Sequence, residues 1–336
     1  MSRNGFISFI LAAALTAGFT AALTGPLPLS AQQRATAVVG FLTSGSIAAL
    51  NKKWIAAFRR GLEESGYVDG QNVTIDYRAA DDHYERLQDL AAEFVRNRVA
   101  VIIAAGGPVS ALAAKRATNS VPIVFTTIAD PVKSGLVDGL SKPGGNITGN
   151  AGLTSELDVK RLELLRQIKP SARVIGVLVN PNRPGVDANS TELQAAAQTI
   201  GLQLMFQSAG PSNALEAAFE KFAQARVDAL LVTADPFFNF RRKEVVALAA
   251  GLAIPAIYQW REFVEDGGLI SYGPSIADAY HQTGVYAGRI IKGAKPAELP
   301  VMQPTRFELV INSKTVKTLA LEVPPALLAL ASEVTE

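Results

Sequence analysis

Short apolar runs alternate with helical stretches along this chain, and this alternation constrains its fold more than any other feature. The run VAVIIAA (99–105) carries no polar residue that would face solvent, so it predicts a strand buried on both faces. Buried strands separated by helices are typical of a parallel sheet with helices packed on both sides. The first series predicts four strands, over 37–43, 72–79, 99–105 and 121–127. It also predicts three helices: one over 46–66, one that follows a capping box at Asp82 and Glu85, and one over 107–118.

The same alternation begins again in the second half of the chain, after a seam rich in Gly, Ser, Thr and Asn at 141–156. A last helix over 277–292 and a strand over 306–311 are too short for a third domain, so we expect them to return and complete the two units. The predicted fold is α/β, with two Rossmann-like parallel-sheet lobes joined by a multi-strand hinge. In the second lobe we predict four strands, over 173–180, 202–208, 227–233 and 254–260. We also predict four helices: one that ends at Pro170, one over 187–200, one capped by Asn213 and Glu216, and one over 241–250.

The first 31 residues have the layout of a secretory signal peptide. Arg3 supplies a positive charge, residues 6–23 are almost wholly apolar, and Ala31 ends a run of small residues. A retained membrane anchor is the alternative, since an apolar stretch of this length could just span a bilayer. We expect cleavage and export to the periplasm, with lobe one over 36–150 completed by about 276–305, and lobe two over 151–275 completed by part of 306–336.

The composition argues against several classes of function. The chain has no cysteine, which excludes disulfides, thiolate metal sites and cysteine nucleophiles. Its two histidines, His83 and His281, match no metal-ligand spacing, and its formal net charge of +2 comes without the basic block that nucleic acid binding needs. The sequence contains neither a GxSxG nor an HExxH motif. We therefore predict a monomer that is not an enzyme and has no metal site, no cofactor and no nucleic acid partner.

Candidate ligand-binding residues are expected where the strands end, because open parallel sheets bind ligands at the carboxyl ends of their strands. After the strand over 99–105, Gly106 and Gly107 allow a close approach of the backbone, and Pro108 begins a helix. The free N–H groups at that helix start favour an anion such as a carboxylate. An ordinary tight turn is the alternative.

Two Asp-Pro steps follow strands at comparable places in the two lobes, at Asp130 and Asp235. Each carboxylate could cap a turn or helix, and each could instead contact a ligand, Asp235 by accepting hydrogen bonds from an ammonium group. For Asp130 the capping role is favoured, since no second carboxylate or histidine for acid–base chemistry lies near it in sequence. Thr126 and Thr127 offer hydroxyl groups just before Asp130.

Aromatic residues concentrate at the strand ends of the second lobe. Phe237, Tyr258 and Trp260 would form a wall for an apolar or aromatic ligand, although packing between the lobes would explain them equally well. Two polar residues at further strand ends, Ser44 and Asn180, complete the predicted ligand-binding set.

Four stretches together resemble one protein family: PIVFTTIADPVKSGLVDGLSKPGGNITG (122–149), DVKRLELLRQI (158–168), YQWREFVEDGG (258–268) and ISYGPSIADAYHQTGVYAGRIIKGAKPAELPVMQPTRFELVIN (270–312). Their Asp-Pro-Val, Pro-Gly-Gly-Asn-x-Thr-Gly and Gly-x-Lys-Pro-x-x-Leu-Pro motifs are specific in combination. Over residues 36–336 the chain resembles the ABC-transporter substrate-binding proteins related to the tryptophan- and tyrosine-binding proteins of bacteria. It departs from the family pattern in the tail, where Ser313 and Ala320 replace a more typical Leu and Gly.

The resemblance implies a type I periplasmic-binding-protein fold that closes over a small solute and delivers it to a membrane permease driven by a separate ATPase subunit. The implied solute is a small carboxylate such as an amino acid, and the better-known members bind aromatic ones. An exported receptor that reports to a sensor fits the same residues, whereas an exported enzyme would need paired acid–base groups. The implied pocket comes from the loops at 104–110, 126–130, 180–184, 234–238 and 258–260.

Overall fold

The computed structural model of the chain describes residues 36–48, 50–152, 157–210 and 215–336. The predicted signal peptide over 1–31 and the predicted cap at Asn213 lie outside these residues. Within the described ranges, no helix has both the length and the apolar character needed to cross a membrane.

The first lobe is built on a sheet of five strands, all of them parallel. Its elements are β1 (Ala37–Thr43), α1 (Lys52–Glu64), β2 (Val73–Ala79), α2 (Leu87–Arg96), β3 (Val101–Ala105), α3 (Pro108–Ala117), β4 (Ile123–Thr127) and β5 (Ile147–Ala151). The strand order is β2-β1-β3-β4-β5, and the four predicted strands are confirmed. Strand β5 lies within the seam over 141–156 and pairs with β4 along its whole length.

Strand β3 shows why this sheet carries helices on both faces. All five of its residues are buried, and successive side chains of a strand point to opposite faces. Val101 and Ile103 pack with side chains of α1, whereas Ile102 and Ala104 pack with side chains of α2 and α3. Neither face of β3 meets water, which explains its lack of polar residues.

Two local predictions in the first lobe are wrong. Helix α1 starts at Lys52 and not near residue 46, because the side chain of Asn51 caps it by accepting from the N–H of Lys53 at 2.9 Å. The capping box at Asp82 is absent: Asp82 has a φ of 65°, and α2 begins only at Leu87 after a 3₁₀ turn. The Asp82 carboxylate instead lies 3.7 Å from the guanidinium of Arg241 in the second lobe.

The second lobe is built on a sheet of seven strands in the order β12-β11-β10-β9-β8-β6-β7. The strands are parallel except for the antiparallel pair of β10 and β11. The remaining elements are α4 (Asp158–Ile168), β6 (Val174–Val179), α5 (Val186–Thr199), β7 (Gln203–Ser208), α6 (Leu215–Ala225), β8 (Ala229–Val232), α7 (Pro236–Phe240), α8 (Arg242–Gly251), β9 (Ala256–Tyr258), α9 (Arg261–Glu265), β10 (Ile270–Pro274), α10 (Ile276–Ile291), β11 (Phe307–Asn312), α11 (Ser313–Thr318), α12 (Pro325–Leu330) and β12 (Glu333–Thr335).

The tail of the chain contributes to both lobes. Helix α10 packs against α1 of the first lobe, where Gly61 and Gly284 let the two backbones approach so closely that a Cβ on either would overlap the other helix. After α10, Met302 forms a bridge with Asn150 at the end of β5, and β11 and β12 then join the second sheet. The predicted two-lobed α/β architecture is confirmed, while the predicted lobe boundaries stay a prediction.

Candidate functional site

A cavity of about 410 Å³ lies between the two sheets, at the carboxyl ends of their strands. Gly106 follows β3 and Thr127 ends β4 on one side, while Pro236 follows β8 and Trp260 follows β9 on the other. Ligands of open parallel sheets bind at such strand ends. The volume lies at the lower end of the range of about 300–1,000 Å³ typical of small-molecule pockets. The cavity is therefore suited to a small solute held by both lobes.

Aromatic side chains form much of the cavity wall. Trp54 comes from α1 of the first lobe and Trp260 from the second, and they are 1% and 5% exposed. These are the only two tryptophans of the chain. The ring of Tyr280 lies 5.6 Å from that of Trp54, and Phe240 adds a further ring. Aromatic walls from both lobes suit a ligand with a flat apolar part.

Uncharged polar groups occupy the interior of the cavity. Gly107 precedes α3, and no side chain of the described residues caps this helix. The N–H groups of its first turn that follow Pro108 have no acceptor within the helix and can therefore bind an anion. The hydroxyl of Thr126 lies 3.2 Å from that of Thr283, and the Thr127 hydroxyl accepts from the N–H of Ala129 at 3.2 Å.

Asn239 brings a buried acceptor to the same cavity. Its side chain is 3% exposed, and its Oδ1 has no hydrogen-bond partner within the part of the chain that the structure describes. A buried acceptor without a donor costs free energy. This oxygen is therefore placed to accept a hydrogen bond from a ligand.

Charged side chains of the lining belong to its more exposed part. Asp278 and Arg306 are exposed, and His281 is half-buried with its Nε2 2.7 Å from Glu64. Among the described residues, no group of three His, Asp or Glu side chains is arranged to hold a metal ion.

Direct contacts join the two lobes beside the cavity. The indole N–H of Trp54 donates to Oε1 of Glu262 at 2.7 Å. Gly107 faces Pro236 so closely that a Cβ on the glycine would lie 2.7 Å from the proline Cγ. Two ion pairs also cross between the lobes, Lys53–Glu265 at 3.1 Å and Asp82–Arg241 at 3.7 Å. The lobes are therefore closed against each other.

The structure brings together five of the predicted site residues. Gly106, Gly107, Thr126, Thr127 and Trp260 all line the cavity, although they come from three different strand ends and two lobes. Their contact with a ligand stays a prediction.

Three further predicted residues of the first lobe lie next to the cavity without lining it. Ser44 donates from its Oγ to the carbonyl of Gly106 at 2.7 Å and so supports that loop. Pro108 is buried in the first turn of α3. Asp130 accepts from the N–H groups of Val132 and Lys133 at 2.8 and 3.1 Å, which supports its capping role.

The predicted residues of the second lobe other than Trp260 also lie outside the cavity lining. Asp235 caps α7 through the N–H of Phe237 at 2.8 Å and accepts from Nδ2 of Asn180 at 3.0 Å. Burial raises the pKa of Asp235 to about 6, against the lowering effect of the Asn180 hydrogen bond. Tyr258 is buried in the core with its ring stacked on that of Phe263, the centroids 4.8 Å apart.

Several lining residues are not predicted from the sequence. Trp54 belongs to the buried apolar stripe of α1, and Tyr280 belongs to that of α10, so the helical pattern alone indicates core residues at both positions. Asn239 is the single polar residue of the PFFNF segment that forms α7, and a lone amide among four apolar residues is the one signal that could have revealed it.

Comparison with known proteins shows which family this chain belongs to. The sequence profile described as ABC transporter substrate binding protein matches residues 38–335. The chain belongs to this family. A tyrosine-binding protein from Clostridioides difficile is 30% identical over 265 residues, which cover 79% of this chain and 76% of the relative.

Two solved structures, one with a bound ligand and one without, resemble this substrate-binding protein to different degrees. The ABC domain from Streptococcus pneumonia in complex with L-Trp is 27% identical, with a TM-score of 0.79 over 89% of this chain and 99% of that chain. A ligand-free, open substrate-binding protein with adhesive properties from Clostridium difficile is 28% identical at the same coverages, but its TM-score is 0.62. The chain is therefore more similar in shape to the L-Trp complex than to the open, ligand-free structure.

Family and fold agree with the sequence predictions. More distant solved structures, 12% and 14% identical, share the two-lobed fold of type I periplasmic binding proteins. The family consists of solute-binding proteins of ABC transporters and not of enzymes, which confirms the prediction that the chain is not an enzyme.

Proposed function

We propose that this substrate-binding protein acts outside the cytoplasm, where it captures an aromatic amino acid between its lobes and delivers it to a membrane permease with a separate ATPase subunit. The observation that carries the proposal is the closed cavity, in which Trp54 and Trp260 of opposite lobes face an interior of uncharged polar groups. The tyrosine-binding relative and the L-Trp complex support the same solute class.

In the proposed binding mode the first lobe holds the carboxylate of the solute. The backbone N–H groups at Gly107 and the start of α3 act as its donors, and the Thr127 hydroxyl lies beside them. The aromatic side chain packs between Trp54 and Trp260. Asn239 accepts a hydrogen bond from the ammonium group, because its Oδ1 is buried and faces no donor within the described residues. Asp235 keeps its capping role behind this layer.

The proposal assigns each segment of the chain to a lobe, to the hinge or to the leader. Lobe one comprises 36–150 and about 276–305, lobe two comprises 151–275 and part of 306–336, and the segments between them form the hinge. The leader over 1–31 is removed on export to the periplasm. A solute favours the closed state only through the contacts it gains there, so both lobes must contact it.

A thermal-shift and calorimetry panel tests the solute class. The purified protein is titrated with L-tyrosine, L-tryptophan, L-phenylalanine, L-leucine and L-glutamate. A ligand at about a hundred times its Kd adds about 2.7 kcal/mol to the free energy of unfolding. We expect at least one aromatic amino acid to raise the melting temperature and the aliphatic and acidic ones to have little effect. Stabilisation by none of the aromatic three would overturn the proposal.

Two variants test the roles of individual side chains. W260A should weaken L-tyrosine binding about tenfold or more, because it removes an aromatic wall contributed by the second lobe. N239A should weaken L-tyrosine binding but leave its analogue without the amino group, 3-(4-hydroxyphenyl)propionate, within about twofold. Equal losses for both compounds would remove Asn239 as the partner of the ammonium group.

A further inference from the structure

One buried hydrogen bond connects the cavity wall of the first lobe to the body of the second. Trp54 and Glu262 are 1% and 5% exposed, and their bond of 2.7 Å joins residues 208 positions apart in the sequence. Trp54 lines the cavity, whereas Glu262 lies behind it on α9. We propose that Glu262 is a positioning residue that fixes the Trp54 ring against the solute when the lobes close, and so couples occupancy of the cavity to closure. This inference rests on the proposed function for the nature of the solute.

The start of α1 is suited to receive this carboxylate. The first turn of α1 contains Lys52, Lys53 and Trp54 and has no acidic residue of its own. A helix start carries a partial positive charge that acidic side chains stabilise. Glu262 and Glu265 lie on α9 and contact adjacent residues, Trp54 and Lys53, so the second lobe supplies the negative charge that α1 lacks.

Burial distinguishes the two contacts. The side chains of Lys53 and Glu265 are 70% and 31% exposed, and ion pairs at such a surface contribute little. The Glu262 carboxylate is buried, and its second oxygen, Oε2, has no hydrogen-bond partner in the described part of the chain. In the closed state Glu262 thus depends on the Trp54 N–H, while in an open state water can solvate both groups. The bond therefore acts on the balance between the open and closed states.

A crosslinking experiment measures closure without any solute. The chain has no cysteine, so K53C and E265C introduce a unique pair of thiols at an exposed contact between the lobes. A short bis-maleimide joins them only when the lobes are closed, and the rate of crosslinking reports the closed population. Within this background we compare W54F, E262L, the double variant W54F/E262L and E262Q. Circular dichroism confirms that each variant is folded.

The expected crosslinking rates depend on whether a variant leaves Trp54 or Glu262 buried without a hydrogen-bond partner. W54F keeps an aromatic ring but leaves the carboxylate buried without its donor, and we expect the rate to fall about tenfold, the equivalent of about 1.4 kcal/mol. E262L should also slow crosslinking. The double variant, with two apolar partners, should recover to within about threefold of the parent. E262Q keeps an acceptor oxygen but loses the negative charge, so its rate should lie between those of E262L and the parent. Unchanged rates in both single variants, or losses that simply add in the double variant, would overturn the proposal.

A parallel titration separates this inference from the proposed function. L-tyrosine is titrated into wild type, W54F and the matched control E265A, which removes the exposed ion pair with Lys53 and the partly exposed one with Arg261 of the same lobe. If wild type fails to bind any aromatic amino acid, the proposed solute class is wrong, but the crosslinking rates still decide the role of Glu262. If wild type binds L-tyrosine, W54F should weaken binding about tenfold and E265A less than about twofold. Equal effects of W54F and E265A would contradict the special role of the buried bond.

Discussion

Replacing Gly107 with alanine should weaken solute binding through the contact between the lobes. Gly107 has φ and ψ angles of 90° and −171°, and holding alanine in such a conformation costs about 1–3 kcal/mol. This strain is present in the open and the closed states alike. It should therefore lower the free energy of unfolding without changing the free energy of binding.

The closed state carries an additional cost. The new Cβ would lie 2.7 Å from Cγ of Pro236, whereas ordinary contacts begin at 3.4 Å, so one lobe must retreat by about 0.7 Å. Overpacking of this kind costs about 1–3 kcal/mol. Because only the closed state makes the contact, the affinity for the solute should fall about 5- to 150-fold.

Isothermal titration with L-tyrosine measures this effect in G107A and in the double variant G107A/P236A. Removing the proline ring should restore most of the affinity, because it removes the atoms that the new Cβ meets. G135A is the matched control: Gly135 has a φ of 70°, and a Cβ there would meet no described atom within 4 Å. G135A should lose stability and keep its affinity. An affinity of G107A for L-tyrosine within twofold of wild type would contradict this prediction, as would an affinity of G107A/P236A no higher than that of G107A.

Three further predictions concern stability and are checked by thermal denaturation. Burial raises the pKa of Asp235 to about 6, above the ordinary value of about 3.9. Between these two values the folded protein holds a proton that the unfolded chain has lost, so the free energy of unfolding falls as the pH rises from about 4 to 6. D235N should be more stable than wild type at pH 7, and a difference in stability that does not shrink towards pH 4 would contradict this. Ala320 has a φ of 48°, so A320G should raise the free energy of unfolding by up to about 1 kcal/mol, and a fall would show that the strain is absent. G284A should cost several kcal/mol because its Cβ would overlap the backbone of Phe58, whereas G251A, whose Cβ would meet no described atom within 4 Å, should be neutral or stabilising.

The sequence by itself determined the layers of this protein. Apolar runs such as the one that forms β3 have no polar face, so they require helices on both sides, and the repeated alternation predicts two such sheets. The positions of Gly106, Gly107, Thr126, Thr127 and Trp260 at strand ends were enough to place them in the cavity lining. These features follow from local periodicity and from the rule that parallel sheets bind ligands at their carboxyl ends.

Tertiary structure decided which strand-end groups face the cavity. Tyr258 and Trp260 are two residues apart, yet Tyr258 ends β9 inside the core and Trp260 lies beyond the strand in the cavity. Both Asp-Pro carboxylates satisfy nearby N–H groups, because a capping bond to the same turn is available before any ligand arrives.

The role of Trp54 depends on the second lobe. Its helical stripe predicts burial, but the stripe is the same whether the ring packs in a core or forms a cavity wall. Only the closure of the lobes brings Glu262, distant in sequence, to the indole N–H. Local sequence determines which face of a helix is apolar, whereas the partner of that face is set by contacts between lobes that no local pattern encodes.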